Sequence, residues 1–166
     1  AMTNHATAYQ EIGKYDVAVK MRERAIEIRE RALGKDHPDV AESLNNLGNV
    51  FERLGDRPRA LECYRRALGI NEKVYGAVPN RRLSDLHNNI GVVLDTTGAY
   101  DDAVGHFLKA LEMDTAILGP RHPDIAFTLT NLGIANERVQ KWEAALDYYH
   151  QALAIREESI GKNHPD

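Results

Sequence analysis

The chain has 166 residues, about the length of one ordinary domain. Its 21 basic and 25 acidic side chains leave a net charge of −4, which argues against a nucleic-acid-binding protein with the usual basic excess. One cysteine excludes an intramolecular disulfide framework and indicates a reducing compartment, so we expect a cytoplasmic location. No apolar run approaches the roughly 18 residues that a membrane span needs, so we expect no membrane partner.

A period of 42 to 43 residues runs through the chain. Three columns of small or apolar residues keep this spacing: Ala18, Ala60, Ala103 and Ala145; Gly34, Gly76, Gly119 and Gly161; Leu47-Gly48, Ile90-Gly91 and Leu132-Gly133. A fixed period of this length is typical of repeat proteins. It predicts a single domain over 1–166, with repeats at about 1–38, 39–80, 81–123 and 124–166. We expect the first and last repeats to be incomplete and the chain to be a piece of a longer array.

Each repeat predicts two helices. In the second repeat, apolar residues fall at i, i+4, i+7 and i+11 from Val40 to Phe51, which indicates one face of a helix. Gly55 is the expected left-handed cap that ends this helix, and Pro58 suits the first turn of the next. That second helix is expected to end near Gly76. No stretch alternates apolar and polar residues well enough to predict a strand.

The small residues predict close helix packing. Ala18, Ala60, Ala103 and Ala145 recur where the second helix of a pair would cross the first. Gly48, Gly91 and Gly133 lie inside a predicted helix, where each costs about 1 kcal/mol relative to Ala, so we expect close helix contact there. Apolar residues continue along the second helices and predict that these are packed to their ends: Ile28, Leu33, Ile70, Tyr75, Met113, Leu118, Ile155 and Ile160.

The pattern Leu44-x2-Leu47-Gly48-x2-Phe51 followed by Ala60-x3-Tyr64 resembles the tetratricopeptide repeat. His87, Asn136 and Arg22 depart from it, and the period is eight residues longer than that family's 34. A 42-residue repeat with the start Leu44-Asn45-Asn46-Leu47-Gly48 and the stretches 152–157 and 161–166 resembles the repeats of kinesin light chains. The resemblance implies an all-α superhelix (a tetratricopeptide solenoid) of about four helix-turn-helix repeats. It also implies a non-catalytic adaptor or scaffold that binds a short linear motif of a partner protein in a concave groove.

The residues left on the first helices after the core is assigned form the predicted peptide groove. Asn46, Asn89 and Asn131 recur once per repeat, and an amide offers donors and an acceptor for an extended peptide backbone. Arg53 and Arg138 are expected to pair with acidic groups of the ligand, while Val92, Ile134 and Phe127 are expected to form apolar pockets. The full predicted set is Asn45, Asn46, Asn49, Arg53, Asn88, Asn89, Val92, Thr130, Asn131, Ile134 and Arg138. Two alternatives stay open: the Asn row bonds the neighbouring helix or caps a turn, and Glu52 and Glu137 are the partners of the two arginines.

Other candidate chemistry is weak. His37, His122 and His164 occupy one linker column and are interpreted as turn and cap residues, so no metal site is predicted. Cys63 and Trp142 are interpreted as packing residues, and no catalytic group or cofactor site is expected. The alternative function is a structural spacer or self-association element that stacks end to end through its exposed solenoid ends.

Overall fold

The computed structural model describes residues 15–163, with the side chains of residues 15–159, so Gly13, His164 and Pro165 lie outside the described residues. That part of the chain contains seven helices and no strand. The helices are α1 (Tyr15–Leu33), α2 (Pro38–Arg53), α3 (Arg57–Tyr75), α4 (Arg81–Thr96), α5 (Tyr100–Leu118), α6 (Ile125–Arg138) and α7 (Trp142–Asn163). The predicted all-α architecture of paired helices is confirmed. None of these helices is long and apolar enough to cross a membrane.

Helix ends follow the predicted chemistry. Gly55 adopts a φ of 76° after α2, a left-handed conformation that glycine adopts without strain. Asp56 caps α3 by accepting a hydrogen bond from the backbone N–H of Arg59 at 3.2 Å, and Pro58 stands in the first turn. Gly161 differs from the other linker glycines because it lies inside α7, where glycine is tolerated at a cost of about 1 kcal/mol.

The helices form two compact units, residues 1–77 and 78–166. In the first unit, α2 packs against both α1 and α3. In the second unit, α4 pairs with α5 and α6 pairs with α7, and α5 also packs against α6. The single solenoid domain over 1–166 stays a prediction.

The small-residue columns occupy the helix crossings, as predicted. Ala18, Ala60 and Ala103 are completely buried. A Cβ added at Gly48 would lie 2.5 Å from the ring of Tyr64, and one at Gly91 would lie 2.6 Å from the ring of Phe107. A Cβ added at Gly133 would likewise overlap the ring of Tyr149. Each glycine therefore makes room for an aromatic ring of the paired helix.

Three residues that the sequence predicts to be packed are exposed in the structure. Ile28 is 44% exposed because it lies about 200° around α1 from the buried Ile26, and a helix buries only one face here. Leu33 is 46% exposed because α1 ends at this residue, with no further turn to pack over it. Trp142 is 54% exposed as the first residue of α7, so its interpretation as a packing residue is wrong.

Candidate peptide-binding surface

Four residues of α6 form one exposed face, which we call the α6 stripe: Phe127, Asn131, Ile134 and Arg138. Their spacing of i, i+4, i+7 and i+11 places them on the same side of a helix. Phe127 is 58% exposed and Ile134 is 37% exposed, while Asn131 is half-buried between them and Arg138 is exposed at the end. On this face two large apolar side chains flank an amide, and a cation follows at the end of the stripe.

Helix α4 lies beside α6 in the same unit. The Asn88 amide donates from Nδ2 to Thr128 Oγ1 at 3.0 Å, and Arg81 Nη2 pairs with Asp124 Oδ2 at 3.0 Å. Asn89 and Val92 of α4 are half-buried. Their positions in the repeat match those of Asn131 and Ile134, so the two neighbouring helices present equivalent residues.

Two amides on these helices have hydrogen-bonding capacity that the protein does not use. The Asn131 Nδ2 donor and the Asn88 Oδ1 acceptor are buried and have no hydrogen-bond partner within the described residues. An unmet buried polar atom costs about 1–3 kcal/mol. A peptide backbone complements one donor and one acceptor, but both atoms are buried, so each amide must turn outward to reach a ligand.

Two of the predicted contact residues are engaged inside the unit. Asn88 bonds the neighbouring helix, as the alternative interpretation proposed for the Asn row. The Thr130 hydroxyl donates to Ala126 O at 2.7 Å and accepts from Arg156 Nη2 of α7 at 3.0 Å. A peptide-contact role for either residue stays a prediction that must compete with these bonds.

In the first unit the corresponding face of α2 is polar. Asn45, Asn46 and Asn49 are half-buried, and Arg53 is exposed. The buried Tyr64 hydroxyl donates to Asn49 Oδ1 at 2.7 Å. Burial of Tyr64 raises the pKa of its hydroxyl, which keeps that group a donor. Asn49 therefore holds an aromatic side chain of the core, a role that the sequence pattern did not indicate.

Acidic residues beside the stripe have different neighbours from those expected. Glu137 accepts a hydrogen bond from the Tyr149 hydroxyl at 3.0 Å. Burial raises the pKa of the Asp95 carboxyl, and the charge of Arg138 opposes this shift. The charge of Arg138 on α6 therefore attracts the Asp95 carboxylate on the neighbouring α4, an interaction that sequence spacing did not indicate.

Where the structure describes them, histidines of the linker column bond the backbone at a helix start or in the turn before it. His37 Nδ1 accepts from the backbone N–H of Asp39 at 3.1 Å, and His122 Nδ1 accepts from that of Asp124 at 3.2 Å. This confirms the turn and cap interpretation: His37 is the N-cap of α2, and His122 lies in the turn before α6, whose N-cap is Asp124. His164 lies outside the described residues. Within the described part of the chain, no group of three or more His, Cys, Asp or Glu side chains could hold a metal ion.

The comparisons with known proteins place this repeat in context. The family model described as "Tetratricopeptide repeat" matches residues 1–73 and 82–166. The "Clustered mitochondria protein homolog" of Coccidioides immitis (strain RS) is 25% identical over 138 residues, which are 83% of this chain and 11% of that protein. The chain thus spans about a tenth of the length of the curated relatives it matches.

Two solved structures share the fold over nearly the whole chain. BtubC (BKLC) from P. vanneervenii has a TM-score of 0.88 and 25% identity, covering 99% of this chain and 65% of its own. A Podosopora anserina putative kinesin light chain with nearly identical TPR-like repeats has a TM-score of 0.86 and 20% identity, covering 99% and 77%. The fold expected from the resemblance to kinesin light chain repeats is confirmed. On the matched residues and the paired-helix fold, this chain belongs to the tetratricopeptide repeat family.

Proposed function

We propose that this chain is a non-catalytic protein-interaction module that binds an extended peptide segment of a partner along α4 and α6. Such repeats are typical protein-interaction scaffolds that expose extended binding surfaces. An adaptor or scaffold role, including cargo attachment as in kinesin light chain-like proteins, fits this activity. A cytoplasmic location is supported by the free, buried Cys63, the chain's one cysteine.

The observation that carries this proposal is the α6 stripe. Phe127 and Ile134 expose apolar surface on either side of Asn131, whose amide nitrogen has no partner in the described residues. Interfaces are typically built from apolar anchors with polar groups that fix orientation around them. A bound peptide would cover the two apolar side chains and, once the buried Asn131 amide turns outward, accept a hydrogen bond from it. Arg138 at the end of the stripe would attract an acidic residue of the ligand.

A random-peptide display library tests this proposal. We expect wild-type protein to enrich extended peptides, and the Ile134→Asp variant to lose them because a charge replaces an apolar anchor. Asn131→Ala should weaken capture by about threefold to tenfold, the worth of one hydrogen bond. The matched control is Leu108→Asp, which places the same charge at a residue of α5 that is 42% exposed.

Two outcomes contradict the proposal. One is that wild-type protein enriches no peptide family. The other is that Ile134→Asp and Leu108→Asp capture the same peptides with equal strength while both keep the helical circular dichroism of the parent.

Self-association through α7 is the second candidate function, favoured by a different surface. Leu146 is 56% exposed and Leu153 is 52% exposed. Leu111, the counterpart of Leu153 in the preceding repeat, packs against the apolar cluster of α6 and α7. Sedimentation velocity over a range of concentrations tests this role: growth in size that is lost in Leu146→Lys/Leu153→Lys supports it, and a concentration-independent monomer contradicts it.

A further inference from the structure

The first unit contains a cavity of about 390 Å³ between α1 and α3, over α2. Its apolar wall includes Ile26 of α1, Leu44 and Phe51 of α2, and Cys63 of α3. A volume of this size is within the range of sites that hold small ligands or buried side chains. The α6 stripe belongs to the second unit, so this cavity is a separate site.

The second unit contains a similar arrangement 85 residues further along the chain, with Asn136 at the position of Phe51, and there an aromatic side chain is present at the position of Cys63. Leu111 and Leu129 stand at the positions of Ile26 and Leu44, and Tyr148 stands at the position of Cys63. Leu111 and Tyr148 pack together against the buried cluster that includes Leu129. A cysteine in place of tyrosine removes a ring from this position in the first unit. The cavity therefore lies at the position that the ring of Tyr148 occupies in the second unit.

Charged side chains surround the opening of the cavity. Most of them are already paired: Glu27 with Arg24 at 2.6 Å, Glu30 with Arg66, and Arg59 with Asp56 at 2.5 Å. These pairs leave little net charge to attract a ligand.

Two carboxylates at the rim have no ion pair within the described part of the chain, those of Glu23 and Glu62. Both act on the thiol inside the cavity. Burial, followed by the charge of Glu62 and more weakly that of Glu23, raises the pKa of Cys63 to about 11 against the opposing charges of Arg66 and Arg59. The site therefore combines an apolar interior with two carboxylates at its mouth that have no ion pair in the described residues, and the charges of Arg66 and Arg59 oppose them in part.

We propose that this cavity binds an aromatic side chain of a partner peptide in which lysine or arginine residues flank the aromatic residue. The ring would lie against Leu44 and Cys63, in the place that Tyr148 fills in the second unit. The flanking cations would pair with Glu23 and Glu62. Arg59 already lies over the Phe51 ring, 4.3 Å from its centroid, and limits entry from that side. A neutral thiol beside the ring makes Cys63 a wall of the site rather than a nucleophile.

Fluorine NMR of a short peptide tests the proposal. The probe is para-fluorophenylalanine flanked on each side by two lysines, and the comparison peptide has glutamates in place of the lysines. We expect wild-type protein to broaden and shift only the fluorine signal of the lysine peptide. Cys63→Tyr should abolish this binding because the new ring fills the cavity from within, as Tyr148 does.

Charge variants keep the test informative if Cys63→Tyr does not fold. Glu23→Gln/Glu62→Gln should weaken binding of the lysine peptide by about threefold to tenfold. The matched control, Glu112→Gln/Glu143→Gln, removes two exposed carboxylates of the second unit and should leave binding unchanged. Equal binding of both peptides, or equal weakening by both charge variants, would overturn the proposal. Failure of this site would leave the α6 stripe untouched, because the two sites share no residue.

Discussion

The helices α1, α2 and α3 of the first unit and α5, α6 and α7 of the second are built from one repeat but have different interiors. In the second unit, Tyr148 and Leu111 close over the buried cluster of α6 and α7. In the first unit, Cys63 at the position of Tyr148 leaves a cavity of about 390 Å³. Ile26, Leu44 and Leu47 are matched by Leu111, Leu129 and Leu132 in the second unit. Two positions differ: Tyr148 replaces Cys63, and the buried Asn136 replaces Phe51.

The middle pair of helices shows a third outcome at the same column. His106 of α5 stands where Cys63 and Tyr148 stand, and it faces His87 of α4, which replaces a leucine of the other repeats. The two Nδ1 atoms are 2.9 Å apart. By contrast, the ring-over-glycine contact recurs in all three described pairs of first and second helices. The three helix pairs therefore share the same crossing and differ at the column of Cys63, His106 and Tyr148.

The largest effect is expected from protonation of His87. Burial, together with the charges of His106 and Lys109 on α5, lowers the pKa of His87 from 6.5 to about 4. The charged groups of α6 lie elsewhere, since Glu137 binds Tyr149 and Arg138 acts on Asp95. The unfolded chain therefore binds a proton between pH 6.5 and 4 that the folded chain does not, so stability is lost as the pH falls through this window. We expect a loss of about 2–3 kcal/mol in the free energy of unfolding.

Urea unfolding at several pH values, followed by the fluorescence of Trp142 in the second unit, measures this loss. His87→Leu restores the residue type of Leu44 and Leu129 and should remove that part of the pH dependence. His150→Gln, at an exposed position of α7, is the control and should keep it. If His87→Leu and wild type lose stability in parallel, the histidine pair is not the cause.

Valine at the glycine column is expected to cost about 2 kcal/mol in either unit, because the added side chain would overlap the ring of Tyr64 or Tyr149. Gly48→Val tests the first unit and Gly133→Val the second. The controls are Gly69→Val and Gly105→Val, where an added Cβ meets nothing within 4 Å. Urea unfolding monitored by circular dichroism should give these controls changes within about 0.5 kcal/mol. Similar losses at all four glycines would show that helix propensity, rather than the ring contact, is responsible.

Tyr148→Cys should open, in the second unit, the space that the Tyr148 ring fills beside Leu111. Because Tyr148 is only half-buried, we expect a loss of about 1–2 kcal/mol, below the usual cost of removing a fully buried ring. Thermal unfolding followed by Trp142 fluorescence measures it. Tyr148→Phe is the control and should keep most of the stability, and a Cys variant as stable as that control would contradict the filling role of Tyr148.

The smallest expected effect is the difference in stability lost when the hydroxyl of Tyr64 or that of Tyr149 is removed. Tyr64→Phe breaks part-buried hydrogen bonds to Asn49 and Glu52 and should cost about 1 kcal/mol. Tyr149→Phe breaks an exposed one to Glu137 and should cost less than about 0.5 kcal/mol. Equal losses in urea unfolding would mean that burial of the Tyr64 hydroxyl adds nothing to its bond.

Much of the fold follows from the sequence because repetition shows each packing rule several times. Ala18, Ala60 and Ala103 recur at one interval, and a side chain larger than a methyl at a helix crossing would push the axes apart. Gly55 and Pro58 mark a helix end and a helix start through backbone restrictions that any fold must obey. These constraints are local or periodic, so no knowledge of the tertiary structure is needed.

The sequence alone predicts only part of the candidate site. Asn46, Asn89 and Asn131 share a helix face by spacing alone, and the structure leaves all three half-buried. Spacing does not say whether such an amide finds a partner on another helix, as Asn88 does with Thr128. That depends on the approach of two segments 40 residues apart in the chain.

The sequence by itself determined the repeat, the helix pairs and their small-residue crossings, because these depend on side-chain size and on backbone preferences within one helix pair. Only the tertiary structure decided which polar groups are paired, which apolar residues are exposed and where a cavity remains. Tyr148, His106 and Cys63 occupy one column of the repeat but differ in what they do there. Tyr148 fills the space beside it, His106 pairs with His87, and Cys63 leaves a cavity. The difference arises because packing depends on the volume and hydrogen bonding of neighbours that are distant in the sequence.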